Sequence, residues 1–208
     1  MNLIFSKTIF AFYIMIENIK LFFEITKFRL SLLVALSSVF GFFISSSKVD
    51  INDVFILLVG GYLISSSSVI NNQILEKDLD KMMKRTNKRP IPTSRISIYN
   101  SVIISVFSLI IGLFLIYFFL NSYSALLSFI SLILYSFVYT PMKKIGPIAV
   151  FVGAIPGALP PLIGWVASTG QITLEAIIIF SIQFIWQFPH FWAIAWMYDD
   201  DYKKVGFK

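Results

Sequence analysis

Residues 98–119 read IYNSVIISVFSLIIGLFLIYFF, twenty-two positions without a charged side chain. About 20 mostly apolar residues in an α-helix cover the roughly 30 Å of hydrocarbon in a bilayer, and a lone segment in hydrocarbon satisfies its own peptide groups only as a helix. The stretch predicts a membrane-spanning helix. Working outward, comparable runs fall at about 28–47 and 54–72 before it and at 122–139, 147–167 and 174–197 after it. Six spans with short connections occupy most of the 208 residues and leave no room for a second, soluble domain. The bulk agrees: 57% of residues are hydrophobic and 13% charged, with a mean hydropathy of +0.82, against about a quarter charged in a soluble domain. A water-soluble enzyme, a disordered regulator and a coiled coil are excluded. The expected fold class is all-α, a polytopic transmembrane helical bundle forming one membrane domain over residues 1–208.

Ahead of the first span, Ile9, Phe12, Ile16, Ile19 and Phe23 share a helical face while Glu17, Lys20 and Glu24 interrupt any long apolar run. That pattern predicts an interfacial helix over residues 1–26; no small-x-small cleavage pattern follows, which argues against a signal peptide. The only long polar connection, between the second and third spans, carries Lys77, Lys81, Lys84, Arg85, Lys88, Arg89 and Arg95. Lys143 and Lys144 lie in the next connection on that side, with Lys203, Lys204 and Lys208 at the C-terminus, whereas the alternate connections hold only Lys48. Basic loops mark the cytoplasmic face, so the expectation is a multi-pass protein of the cell inner membrane. The net charge of +6 thus reports topology, with lipid rather than nucleic acid as the partner. There are no cysteines, which removes disulfides, thiolate metal sites and cysteine nucleophiles.

Two spans are unusual. The fifth carries Pro156, Pro160 and Pro161 between Gly153, Gly157 and Gly164; each proline removes a backbone donor and crowds the preceding turn, tolerable at membrane depth only where protein or a wet cavity satisfies the freed carbonyls. The Gly153/Gly157 spacing permits close helix packing. The sixth sets Gln183, Gln187, Pro189 and His190 among Trp186, Trp192 and Trp196, and its polar groups are expected to face inward.

The chemistry-bearing stretch is residues 72–90, NQILEKDLDKMMKRTNKRP, where the second span meets the basic connection within the motif loop 73–97. If the helix continues, Asn72, Glu76 and Asp80 project from one face, and carboxylates one turn apart repel by a few tenths of a kcal/mol, so a cation is expected against them. An all-oxygen set suits Mg²⁺, which binds through one or two carboxylates plus substrate phosphates. Arg85 and Arg89, again a turn apart, offer planar forks to anionic oxygens. Together they describe a metal–diphosphate clamp; the alternative is a solvated loop in which Lys77, Lys81 and Lys84 neutralise Glu76, Asp78 and Asp80. Lys143 and Lys144, beside Tyr139, either reach the same ligand or anchor the loop at the bilayer surface.

The pattern N-x-x-x-E-x-D-x-D-x-x-M-x-R-T-x-x-R-P-x-P over residues 72–92 resembles the first Asp-rich motif of the UbiA superfamily of intramembrane prenyltransferases, and more narrowly its protoheme IX farnesyltransferase branch. Three further segments are similar to that branch: YTPMK at 139–143, GAIPGALPPLIGW at 153–165, and WQFPHF at 186–191 followed by Asp201-Tyr202. The resemblance implies a UbiA-like fold and Mg²⁺-dependent transfer of farnesyl from farnesyl diphosphate to a vinyl group of haem b, giving haem O. It places Asn72, Glu76 and Asp80 on the metal–diphosphate positions with Asp78 adjacent, and Arg85, Arg89, Lys143 and Lys144 beside the diphosphate. Tyr139 falls on the loop tyrosine and Asp201 on the acidic position of the second half-site. Trp186, Gln187 and His190 fall in the segment expected to contact haem. Haem-handling or oxidase-assembly membrane proteins are the implied partners. Ionising an allylic diphosphate calls for preplaced cations, a dry cavity and aromatic faces, for which Tyr135, Tyr139, Phe184, Trp186 and Phe188 are candidates. Family members usually have nine spans, so three C-terminal spans are expected to be lacking here. Competing readings are a UbiA enzyme acting on a quinone-precursor ring, a transporter built on the broken fifth span, and a non-catalytic assembly subunit.

Overall fold

Helix starts are set by local chemistry. Asp50 accepts from the Asn52 amide at 2.8 Å, Ser97 from Asn100 at 3.1 Å, Asn121 from Ser124 at 2.9 Å and Thr173 from Ala176 at 3.4 Å, each pairing a donor that a helix N-terminus leaves free. These caps open α3 (Ile51–Leu75), α5 (Ile98–Phe119), α6 (Ser122–Ile133) and α9 (Leu174–Met197). The structure is a computed structural model describing residues 2–46 and 48–207. Its remaining helices are α1 (Asn2–Ile25), α2 (Phe28–Ser45), α4 (Lys77–Met82), α7 (Thr140–Met142), α8 (Ile148–Thr169) and α10 (Asp199–Val205), with a π-helical stretch at Leu134–Tyr139 joining α6 to α7. No strand occurs among the described residues. Six helical segments are long and apolar enough to cross a membrane: α2, α3, α5, the continuous Ser122–Met142 segment, α8 and α9. The chain is a multi-pass membrane protein with an all-α fold.

The packing inverts the usual rule for soluble proteins. On α5 the buried positions are Ser101, Ser105, Ser108, Gly112 and Ile116, whereas Phe107, Ile110, Phe114 and Phe118 face outward. Lipid solvates large apolar side chains as well as a core does, so small residues take the interface and let backbones approach. Ser105 donates to Asn71 Oδ1 at 2.7 Å and pairs with Ser67 at 2.9 Å, tying α5 to α3. At the α2–α8 contact a Cβ on Gly41 would collide with the Pro161 carbonyl and one on Gly164 with that of Ser38.

Despite its prolines α8 is one unbroken helix and the most buried of the six spans. Pro160 and Pro161 free the carbonyls of Pro156 and Gly157, four residues back. The Ser131 hydroxyl approaches the first at 3.5 Å and the Gln187 side-chain amide donates to the second at 3.2 Å. Protein groups thus replace the missing donors.

The main apolar core gathers Val39 and Phe42 of α2, Leu57 of α3, Leu159, Leu162, Ile163, Trp165 and Val166 of α8, and Ala176 of α9. All lie in the half of the bundle remote from residues 72–90. Asn121 closes that end by donating to the carbonyls of Val166 and Ala167 at 2.9 and 3.2 Å. At the other end α1 is tied down by Arg95–Glu24 at 2.6 Å, while Phe12, Ile19 and Phe23 on its outer face stay exposed. The side chain of Ile9 lies outside the described residues.

Candidate active site

α3 ends at Leu75, yet the helical hydrogen bonding carries across the junction: Glu76 donates its N–H to the Asn72 carbonyl at 2.9 Å and Asp80 to that of Glu76 at 2.8 Å. Asn72, Glu76 and Asp80 therefore remain on one face, and all three are buried. Asn72 donates from Nδ2 to Glu76 Oε2 at 2.9 Å and to Thr140 Oγ1 at 3.1 Å. Lys143 Nζ meets Glu76 Oε1 at 2.8 Å, and Arg89 meets Asp80 Oδ2 at 2.7 Å. Asp80 Oδ1, in a fully buried residue, has no hydrogen-bond partner. A buried carboxylate oxygen without a donor is costly, and a cation beside it removes the cost.

The donor set fits Mg²⁺: two carboxylates and an amide oxygen, all hard ligands. Among the described residues no three His, Cys, Asp or Glu side chains converge as a metal cluster, so an ion bound between Glu76 and Asp80 would have to complete its shell with oxygens from elsewhere. The surrounding charge says from where. Arg85, Arg89, Lys143 and Lys27 outnumber the two acids. Lys27, absent from the sequence-based expectations, is half-buried in the turn between α1 and α2 in a left-handed conformation (φ 45°). Burial above all, with the charges of Arg89, Lys143 and Arg85 and against the pull of Asp80, brings its ammonium down to about 7. An excess of crowded cations describes a site for a polyanion.

The wall above the cluster is aromatic. In the π-helical stretch the Thr140 amide bonds back to the Tyr135 carbonyl, five residues away, a wide turn found mostly at functional positions. The rings of Tyr135 and Tyr139 lie 5.7 Å apart and tilted, Tyr139 meets Phe191 of α9 at 5.6 Å, and Lys143 Nζ lies 4.9 Å from the Tyr139 ring centre. Gly153 makes room: a Cβ there would stand 2.6 Å from the Tyr139 ring. Phe184 and Phe188 instead continue a ladder from Phe180 to Trp192 along α9.

Asp201 is buried and turned toward the basic loop, accepting the backbone amides of Lys84 at 3.0 Å and Arg85 at 3.1 Å. Those donors hold its carboxyl below the usual range. The Arg85 guanidinium lies over the Tyr198 ring at 4.6 Å, and burial pushes the Tyr202 hydroxyl up.

Not every expected residue joins the cluster. Asp78 is exposed and pairs with Lys81 at 3.5 Å, and Lys144 is exposed. Two residues past Glu76 a helical side chain points elsewhere, and Lys144 sits in the turn that follows α7. On α9, Gln187 is buried against Gly157 as expected of its polar groups, whereas Trp186 and His190 face outward. His190 nonetheless neighbours Phe191, at 6.0 Å between rings, and so stands beside the aromatic wall.

The model of the UbiA prenyltransferase family matches residues 33–208. The protoheme IX farnesyltransferase of Cytophaga hutchinsonii is 47% identical over 195 residues, covering 93% of this chain and 68% of the relative. That of Christiangramia forsetii is 46% identical over 184 residues, covering 88% and 61%. The chain thus spans about two thirds of the first relative's length and less of the second's. Among solved structures, a digeranylgeranylglyceryl phosphate synthase superposes with a TM-score of 0.78 at 21% identity, covering 92% of this chain and 67% of its own. A UbiA homolog from Archaeoglobus fulgidus bound to DMAPP and Mg²⁺ does so at 0.73 and 17%, covering 90% and 67%. At those identities the likeness is one of fold.

Proposed function

The chain belongs to the UbiA prenyltransferase family, and from that premise we propose that it acts as an intramembrane prenyltransferase, moving farnesyl from farnesyl diphosphate to a vinyl group of haem b to form haem O. The observation that carries this reading is the unpartnered Asp80 Oδ1, buried beside Asn72 and Glu76 and ringed by cations. The acceptor is supported by the relatives, which are named protoheme IX farnesyltransferases at 35–47% identity.

In this reading Asn72, Glu76 and Asp80 hold Mg²⁺, which when bound neutralises charge on the diphosphate. Arg89 and Lys143 exchange their carboxylate partners for diphosphate oxygens, and Arg85 and Lys27 approach from the rim. As the allylic C–O bond breaks, its electrons pass to the diphosphate, and cations already in place stabilise that charge without reorganising. Tyr135 and Tyr139 offer ring faces to the developing prenyl cation, each worth about 0.5–2 kcal/mol. Water has to be kept from the prenyl cation until the new C–C bond forms; the positive charge which that bond leaves on the haem side chain then takes up water with loss of a proton, giving the hydroxyl of haem O. The outward face of α9, with Trp186 and His190, is the haem side. We assign α1 to the membrane interface and the charged end to the cytoplasmic side of the inner membrane, where haem-handling membrane partners would meet it; the basic connections support that sidedness.

The test is incubation of membranes carrying the chain with haem b, farnesyl diphosphate and Mg²⁺, comparing wild type with Asp80→Ala. Haem O is expected from the wild type alone. Equal yields remove the metal assignment; prenyl transfer to an aromatic quinone precursor in place of haem replaces the acceptor.

A further inference from the structure

Three successive aspartates open α10, and only the third turns inward. Asp199 and Asp200 are exposed, while Asp201 is buried. Both of its carboxylate oxygens are engaged: Oδ1 accepts the Lys84 amide and Oδ2 the Arg85 amide, with Lys204 Nζ at 3.6 Å from Oδ1. Three residues earlier, Tyr198 supplies the ring beneath the Arg85 guanidinium. One short helix thus grips Arg85 twice, by its backbone and by its side chain, across more than a hundred residues of sequence.

We propose, resting on the prenyl diphosphate reading above, that Asp201 is a positioning residue rather than a metal ligand: with Tyr198 it forms a bracket that presents the Arg85 guanidinium to the diphosphate. The physical reason is that residues 83–97 are a chain of turns without a long helix of their own, and an arginine on such a loop loses side-chain and backbone freedom when it binds an anion. A carboxylate clamping two consecutive amides fixes the loop beforehand, and the ring fixes the planar head. The donors to Asp201 are two backbone amides of the loop, which cannot swing away to a ligand as the Lys143 ammonium on Glu76 can, and neither of its oxygens is orphaned as Asp80 Oδ1 is. The bracket also couples α9, through Tyr198 at its C-terminal end, to the loop that carries the basic residues.

The test measures binding of farnesyl thiodiphosphate, which resists ionisation, to the full chain in nanodiscs at saturating Mg²⁺, followed by Mg²⁺ titration at fixed ligand. Asp201→Asn is expected to weaken ligand binding about tenfold, as loss of a charge-assisted contact does, and Arg85→Ala by a similar factor. The double variant is expected to bind no more weakly than Arg85→Ala, because the two substitutions remove one interaction. The Mg²⁺ midpoint stays at the wild-type value, and Asp200→Asn binds as wild type does. Should Asp201→Asn fail to fold, Tyr198→Leu carries the same test: a loss of about threefold, abolished in the Arg85→Ala background. Losses that multiply, or a shifted Mg²⁺ midpoint, overturn the bracket alone. A wild-type chain that binds no farnesyl thiodiphosphate overturns the enzyme reading and the bracket with it.

Discussion

Asp80 divides its carboxylate between two tasks: Oδ2 holds Arg89 and Oδ1 stands unpaired in the interior. Asp80→Ala removes the oxygen proposed to bind the metal and strands Arg89 as well. Haem O formation is expected to fall about 100- to 1,000-fold, as when a preplaced charge is removed from a transition state, measured as initial rate at saturating farnesyl diphosphate. Lys27 makes a separate prediction. Its folded value of about 7 lies below that of an ordinary lysine, so above pH 7 the free protein lacks a proton there that an anion-bound form holds. Affinity for a prenyl diphosphate therefore falls as pH rises through that window, by up to about tenfold per pH unit. Calorimetry at pH 8 in two buffers of different ionisation enthalpy should show proton uptake in the wild type and none from this group in Lys27→Met. Asn72, Glu76 and Asp80 were legible in the sequence because their four-residue spacing survives the kink at Glu76. Lys27 was not, since it reaches the site through a left-handed turn 53 positions before Asp80. Asp78 and Lys144 looked eligible by composition; helical geometry turns the first away, and the turn after α7 leaves the second exposed.

Two elements carry the site, and each departs from what its sequence suggests. The prolines of α8 predict a break, yet the helix runs through because Gln187 and Ser131 supply what Pro161 and Pro160 lack. Gln187→Leu leaves the Gly157 carbonyl unpaired, a loss of about 1–3 kcal/mol, seen as a lower thermal midpoint in detergent with the Mg²⁺ midpoint unchanged. The π-helical stretch left no sign in the sequence, because an additional residue in one turn alters neither composition nor hydropathy. It advances everything after it by roughly 100° about the helix axis, and so brings Thr140 to Asn72 and Lys143 to Glu76. Gly153 is the matching device on α8. Gly153→Ala drives a methyl group into the Tyr139 ring; the expected result is slower prenyl transfer with farnesyl thiodiphosphate binding retained within about threefold, since the ring faces the cation rather than the anion.

Across the whole molecule the six spans were readable because apolar length alone defines them, and their observed ends differ from expectation by a few residues; α3 runs from Ile51 to Leu75 where 54–72 was expected. Which face of each span turns inward was harder to read, since nearly every position is apolar and many of the buried ones are serine, glycine or alanine. α9 is the least covered span, leaving Trp186 and His190 at the surface of a chain that spans 68% and 61% of the length of two relatives it matches. His190→Ala is expected to weaken haem binding, followed by the Soret band, while farnesyl thiodiphosphate binding stays unchanged; equal loss of both would assign the residue to folding. A last consequence concerns the opposite pole. There Asn121 is latched onto carbonyls in the last turn of α8, and Phe42, Trp165 and Val166 pack into one apolar cluster. That pole is the bundle's anchor, so a substitution among the acids and bases of the charged end disturbs the chemistry there and leaves the helices fastened to one another.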